Sequence, residues 1–99
     1  MTINTFANGN TLTISVEGRL DTVTAPELEQ QVKSIPGDVQ KLIFDFLKLE
    51  YISSAGLRVL LTAQKLMNRQ GGDMAITGAS EDIRDIFEIT GFSGILTLE

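Results

Sequence analysis

The chain has 99 residues, 8 Lys and Arg against 13 Asp and Glu, a net charge of −5, and neither Cys nor His. That length supports one domain around one core, and a hydrophobic fraction of 42% is too high for a disordered chain. Without Cys and His there is no disulfide framework, thiol nucleophile, Ser-His-Asp triad, phosphohistidine or His/Cys zinc site, which leaves only carboxylates as metal ligands.

Acidic residues outnumber basic ones in both halves of the chain, so no acidic tail stands apart. This balance argues against direct binding to a nucleic-acid backbone, which calls for a basic patch. Met1 to Phe6 has neither the basic head nor the apolar run of a signal peptide, and no stretch reaches the roughly 20 apolar residues that span a bilayer. The expectation is a cytoplasmic protein without a membrane anchor.

In chain order, Ile3 to Ala7 leads into Asn8-Gly9-Asn10, a tight-turn signal, and Leu12, Ile14 and Val16 then alternate with polar residues. That is a hairpin whose second strand is covered on one face. Gly18-Arg19-Leu20-Asp21 breaks the alternation. Thr24 and Glu27 have capping-box spacing with Pro26 in the first turn, and Ala25, Leu28, Val32 and Ile35 form one helical stripe that Pro36-Gly37 ends. Leu42-Ile43-Phe44 is continuous, as expected for a central strand covered more fully than the first two. Leu47 to Ile52 reads as an unusually apolar connection.

A second helix is expected from Ser53 or Ser54 to about Gln70. Its core arc holds Ala55, Gly56, Val59, Leu60, Ala63, Leu66 and Met67, opposite a solvated stripe of Arg58, Thr62, Lys65 and Arg69. Gly71-Gly72 closes it, and Met74-Ala75-Ile76 makes the next strand. Ser80 caps a third helix carrying Ile83, Ile86, Phe87 and Thr90, with Gly91 as its stop. Ile95, Leu96 and Leu98 form either a last strand or a docked tail. The order β-β-α-β-α-β-α predicts a single α/β domain over residues 1–99 without a linker. Its mixed sheet has four to five strands, with the helices mainly on one face.

In such sheets function gathers at the carboxyl ends of parallel strands. Two segments reach that edge: Gly18 to Ala25, and Tyr51 to Arg58. The small residues Ser53-Ser54-Ala55-Gly56 leave a helix start open to close approach. A phosphoserine there would place about −1.5 to −2 charges at the positive end of the helix dipole. Arg58, one turn beyond Ser54, would balance part of that charge. The plainer reading makes the serine an ordinary N-cap worth about 1 kcal/mol. Asp21 and Asp45 are the carboxylates expected near the same edge, able to bind a metal, orient a hydroxyl or simply end a turn and a strand. No base stands ready to activate a serine nucleophile and no phosphate-loop motif is present, so an enzyme ranks last.

Three spaced blocks together resemble the STAS domain of bacterial anti-sigma factor antagonists. Gly18-Arg19-Leu20-Asp21 with Thr24-Ala25 is similar to the family's Gly-x-Leu-Asp…Thr-Ala block, and Ile43-Phe44-Asp45-Phe46 to its Asp-Leu strand end. Tyr51-Ile52-Ser53-Ser54-Ala55-Gly56-Leu57 resembles its Asp-Ser-Ser/Ala-Gly-Leu signature, and the helix that follows ends in Gly-Gly as in the family. The resemblance implies a partner switch with no cofactor. The unmodified antagonist binds an anti-sigma factor that is also a serine kinase, the kinase phosphorylates it, and a PP2C-type phosphatase resets it. Ser54 is then the phosphoacceptor, with Ser53 as the alternative. Asp21, Thr24, Ser53, Ser54, Ala55, Gly56 and Arg58 form the partner-binding surface. The family usually carries Asp where this chain has Ser53. Competing readings are a STAS scaffold that is never phosphorylated and a small anion- or nucleotide-binding domain.

Overall fold

The computed structural model describes residues 1–99. Strands β1 (Thr2–Asn8) and β2 (Thr11–Leu20) form an antiparallel hairpin around Gly9-Asn10. Helix α1 (Ala25–Lys33), strands β3 (Lys41–Asp45) and β4 (Leu49–Ile52), helix α2 (Ser54–Arg69), strand β5 (Asp73–Thr77) and helix α3 (Glu81–Thr90) follow. The sheet runs β1-β2-β3-β5, and all pairings after the hairpin are parallel. The first half of β2 pairs with β3 through Thr11–Ser15, and its last residues Gly18–Leu20 pair with β4. One long strand therefore changes neighbours partway along its length.

Ile14, Val16, Leu20, Leu42, Phe44, Met74 and Ile76 point from the sheet into a core shared with Leu28 and Val32 of α1, Leu60 and Met67 of α2, and Ile83 and Phe87 of α3. No polar or charged residue is buried in this core, so the core holds no side-chain charge that would need a buried partner. The opposite face of the sheet carries no helix. Register places Phe6, Thr13, Ile43 and Ala75 in one row across it.

Four expectations need correction. The β3 run is central but not covered on both faces: burial alternates along it, and Ile43 stays half-buried in the apolar row on the open face. The Leu47–Ile52 segment is not merely a connection, because it contains β4. Leu49 and Ile52 are buried while Glu50 and Tyr51 between them are exposed. The pairing advances from Gly18–Leu49 to Arg19–Tyr51, leaving Glu50 as an extra residue. Such a bulge destroys the two-residue period by which a strand is read from sequence. Helix α1 ends at Lys33, with Ser34 Oγ donating to Gln30 O at 2.9 Å, so Ile35 packs into the core from beyond the helix. Leu57 joins the buried arc of α2, because α2 is covered from the β4 side as well.

The expected start and stop of α3 hold. Ser80 Oγ accepts the Ile83 N–H at 3.2 Å, and Gly91 ends α3 with a φ of 81°. The tail makes a single turn of 3-10 helix at Phe92–Gly94 and then pairs with β5, as Ile76 N–H donates to Thr97 O and Glu99 N–H to Ile76 O, both at 2.8 Å.

Candidate functional site

β2 and β4 end side by side, and the loop after each runs into a helix start. The Ser53 N–H donates to Leu20 O at 2.9 Å, binding the two exits together. After Leu20 the chain folds on the Asp21 side chain. Asp21 Oδ1 accepts the N–H groups of Val23 at 3.0 Å and Thr24 at 3.1 Å. Thr24 Oγ1 accepts the Asp21 N–H at 2.9 Å and donates toward Arg19 O at 2.8 Å and Asp21 Oδ1 at 3.2 Å. Thr24 therefore holds the loop rather than capping α1, and the capping box with Glu27 does not form. The hydroxyl faces backward because the Asp21 turn presents donors and acceptors there first.

These bonds pull the Asp21 carboxyl below its ordinary 3.8, chiefly through the Thr24 N–H. The Thr24 hydroxyl, the Val23 N–H and Arg19 act in the same direction, and partial desolvation opposes them. Arg19 Nε is 3.8 Å from Asp21 Oδ2, and its guanidinium lies over the Tyr51 ring, 4.3 Å from the centroid. This clamp across β2 and β4 escapes a sequence reading, since it depends on the shifted register that sets Arg19 opposite Tyr51. Val23, 86% exposed, projects from the loop as an apolar tip in an otherwise polar turn.

At the second exit, Ser53 is extended and Ser54 is the first residue of α2. Their hydroxyls have different surroundings. Ser54 is exposed, whereas Ser53 Oγ is buried with no hydrogen-bond partner. The expected Ser cap is thus absent at α2, although Ser53 occupies the cap position. Gly56 sits where α2 crosses Leu20 and Ile52: a Cβ there would lie 2.7 Å from Leu20 Cγ and 2.8 Å from Ile52 Cγ1. Its role is close packing of the helix on the sheet, which keeps Ser54 at the edge. Ala55 is half-buried. Arg58 takes part in none of the four ion pairs. It lines a cleft of about 280 Å³ between α1 and α2 with Thr22, Pro26, Glu29, Ala55 and Thr62.

Asp45 is not brought to Asp21. Its Oδ1 accepts the Leu47 N–H at 3.0 Å and its Oδ2 the Ser15 hydroxyl at 3.3 Å, on the open face of the sheet. There it lines a separate cleft with Asn4, Glu17 and Lys48. Asp21, Thr24, Ser54, Ala55, Gly56 and Arg58 do gather at one edge, around an exposed serine and an uncommitted cation.

The fold of this chain is that of several solved anti-sigma factor antagonists. One from Mycobacterium paratuberculosis superimposes with a TM-score of 0.86 at 26% identity, covering 98% of this chain and 83% of that one. SpoIIAA gives 0.79 in its unphosphorylated form and 0.77 in its phosphorylated form, both at 18% identity and covering 99% of this chain, with 87% and 91% of the respective SpoIIAA chains. The STAS domain model matches residues 2–99, and the chain belongs to the STAS domain family. Within that family it is 30% identical over 97 residues to the anti-sigma-B factor antagonist of Staphylococcus aureus, covering 97% of this chain and 90% of that protein. No helix is long and apolar enough to cross a membrane.

Proposed function

We propose that this protein is a cytoplasmic anti-sigma factor antagonist controlled at Ser54. In its unphosphorylated form it binds an anti-sigma factor that is also a serine kinase, and so releases a sigma factor. Phosphorylation of Ser54 switches that binding off, and a PP2C-type phosphatase restores it. The protein itself catalyses nothing and needs no cofactor. The observation that carries this reading is the contrast between the two serines: Ser54 is exposed at the helix start, and Ser53 Oγ is buried. A kinase can reach only the first without opening the domain. The names of the relatives, and a SpoIIAA structure in phosphorylated form, support the same direction.

The physics of the switch is local. A phosphate on Ser54 would add about −1.5 to −2 charges beside the α2 N-terminus, with Arg58 one turn away as counter-charge. The isolated domain tolerates this. A partner that covers Ser54 must desolvate the dianion or face it with its own acids, and each 1.4 kcal/mol lost weakens binding about tenfold. Asp21 and Thr24 shape the neighbouring loop, and Ser53, Ala55 and Arg58 complete the docking surface; Gly56, expected on that surface, is instead buried against Leu20 and Ile52 and acts by seating α2.

Calorimetry of the anti-sigma kinase against Ser54→Ala and Ser54→Asp tests the proposal, together with phosphate incorporation from labelled ATP. We expect Ser54→Ala to bind as the wild type does and take no label, and Ser54→Asp to bind at least tenfold more weakly. Equal affinities, or label retained in Ser54→Ala, would overturn it in favour of the scaffold reading or of Ser53.

A further inference from the structure

The sheet has one edge covered by its own chain and one left open. At the β5 side, Thr97–Glu99 runs alongside and takes the Ile76 backbone bonds. At the other side, β1 pairs only with β2, and every residue of it except Ile3 is exposed. Exposed edges are normally protected by charged residues, proline, a bulge or a covering segment. Thr2-Ile3-Asn4-Thr5-Phe6-Ala7-Asn8 has no charge and no proline, and its ladder with β2 runs without a register shift.

Which backbone groups face outward follows from the hairpin. The two-residue turn Gly9-Asn10 makes Asn8 and Thr11 the hydrogen-bonded closing pair. Counting back in twos, Asn8, Phe6, Asn4 and Thr2 spend their backbone groups on β2, and Ile3, Thr5 and Ala7 direct theirs outward.

We propose that β1 is a self-association edge, on which a second copy of this chain lays its own β1 antiparallel about a two-fold axis at Thr5. In that register Thr5 of one copy opposes Thr5 of the other and Ile3 opposes Ala7, so all the outward groups pair, in about six hydrogen bonds. A chain of charge −5 repels its copy over most of its surface. The uncharged β1 edge is where that repulsion is least. Because the two-fold spends the β1 edge of both copies on one junction, the pairing closes at two copies and does not extend into a fibre. An edge of seven residues buries less than the roughly 1,200 Å² of a stable complex, so the dimer is weak and forms at high concentration.

Sedimentation equilibrium of the whole chain from about 10 µM to about 1 mM tests this. The wild type should pass from monomer to dimer and stop there. Thr5→Lys and Thr5→Glu each place like charges face to face on the axis and should weaken the dimer at least tenfold, while their equimolar mixture should dimerise again. Thr5 is exposed at the strand edge, and circular dichroism checks that both variants keep the fold. A wild type that stays monomeric throughout would overturn the proposal. So would a dimer indifferent to Thr5→Lys, which would lie on another surface, or a mixture that fails to pair.

Discussion

The hydroxyls of Ser53 and Ser54 are one residue apart in sequence, yet only one of them meets solvent. A buried hydroxyl without a partner carries its desolvation cost and returns no bond. Ser53→Ala should therefore be neutral or slightly stabilising, within about 0.5 kcal/mol, although Ser53 holds a cap position. Ser80→Ala, which removes a formed cap bond to Ile83 N–H, should cost about 1 kcal/mol. Urea denaturation of the two variants makes the comparison, and an equal cost would mean that Ser53 caps α2 after all. Asp21 offers a pH test. Its carboxyl titrates below 3.8 in the folded chain, chiefly because the Thr24 N–H favours the anion. The stabilisation is thus complete above the unfolded value and is lost as pH falls through the lower folded one. Thermal melts should show a constant advantage of wild type over Asp21→Asn above about pH 5, shrinking below about pH 4. An advantage that grows toward acid would reverse the sign of the argument.

At the scale of elements, the seat of α2 on β2 and β4 decides where the serine stands. An Ala in a helix interior normally gains up to about 1 kcal/mol over Gly. At Gly56 the added Cβ would overlap Leu20 and Ile52, which are both buried and unable to retreat, and overpacking of this kind costs about 1–3 kcal/mol. We expect Gly56→Ala to lower the urea midpoint. A gain in stability would place α2 farther from the sheet. β4 is the element least legible in the sequence, because its bulge at Glu50 replaces alternation with two buried residues separated by two exposed ones. The Arg19–Tyr51 stack is hidden for the same reason, since neither residue has a sequence neighbour that announces the pairing.

At the scale of the molecule, all three helices serve one face of the sheet, while the site occupies its carboxyl edge and the candidate self-association strand lies along a lateral edge. The phosphate proposed at Ser54 would be added outside the core, which holds no polar side chain. Ser54→Asp should accordingly shift the melting temperature by less than about 4 °C, with any change toward greater stability from the helix dipole. A large drop would make the switch a partial unfolding rather than a change at a docking surface.

Much of this was legible in one dimension. Helix stripes, the Ser80 cap, the glycine stops and the alternation of β2 are local patterns, and they sufficed for the α/β order and for placing the loops after β2 and β4 at one edge of the sheet. The tertiary structure decided what depends on packing and register. It separated Asp45 from Asp21, because alternation along β3 turns Asp45 to the open face. It turned the Thr24 hydroxyl back onto the Asp21 turn and buried Ser53 Oγ while exposing Ser54. Side-chain exposure is set by what lies opposite in space, and for two adjacent serines no pattern within the sequence carries that information.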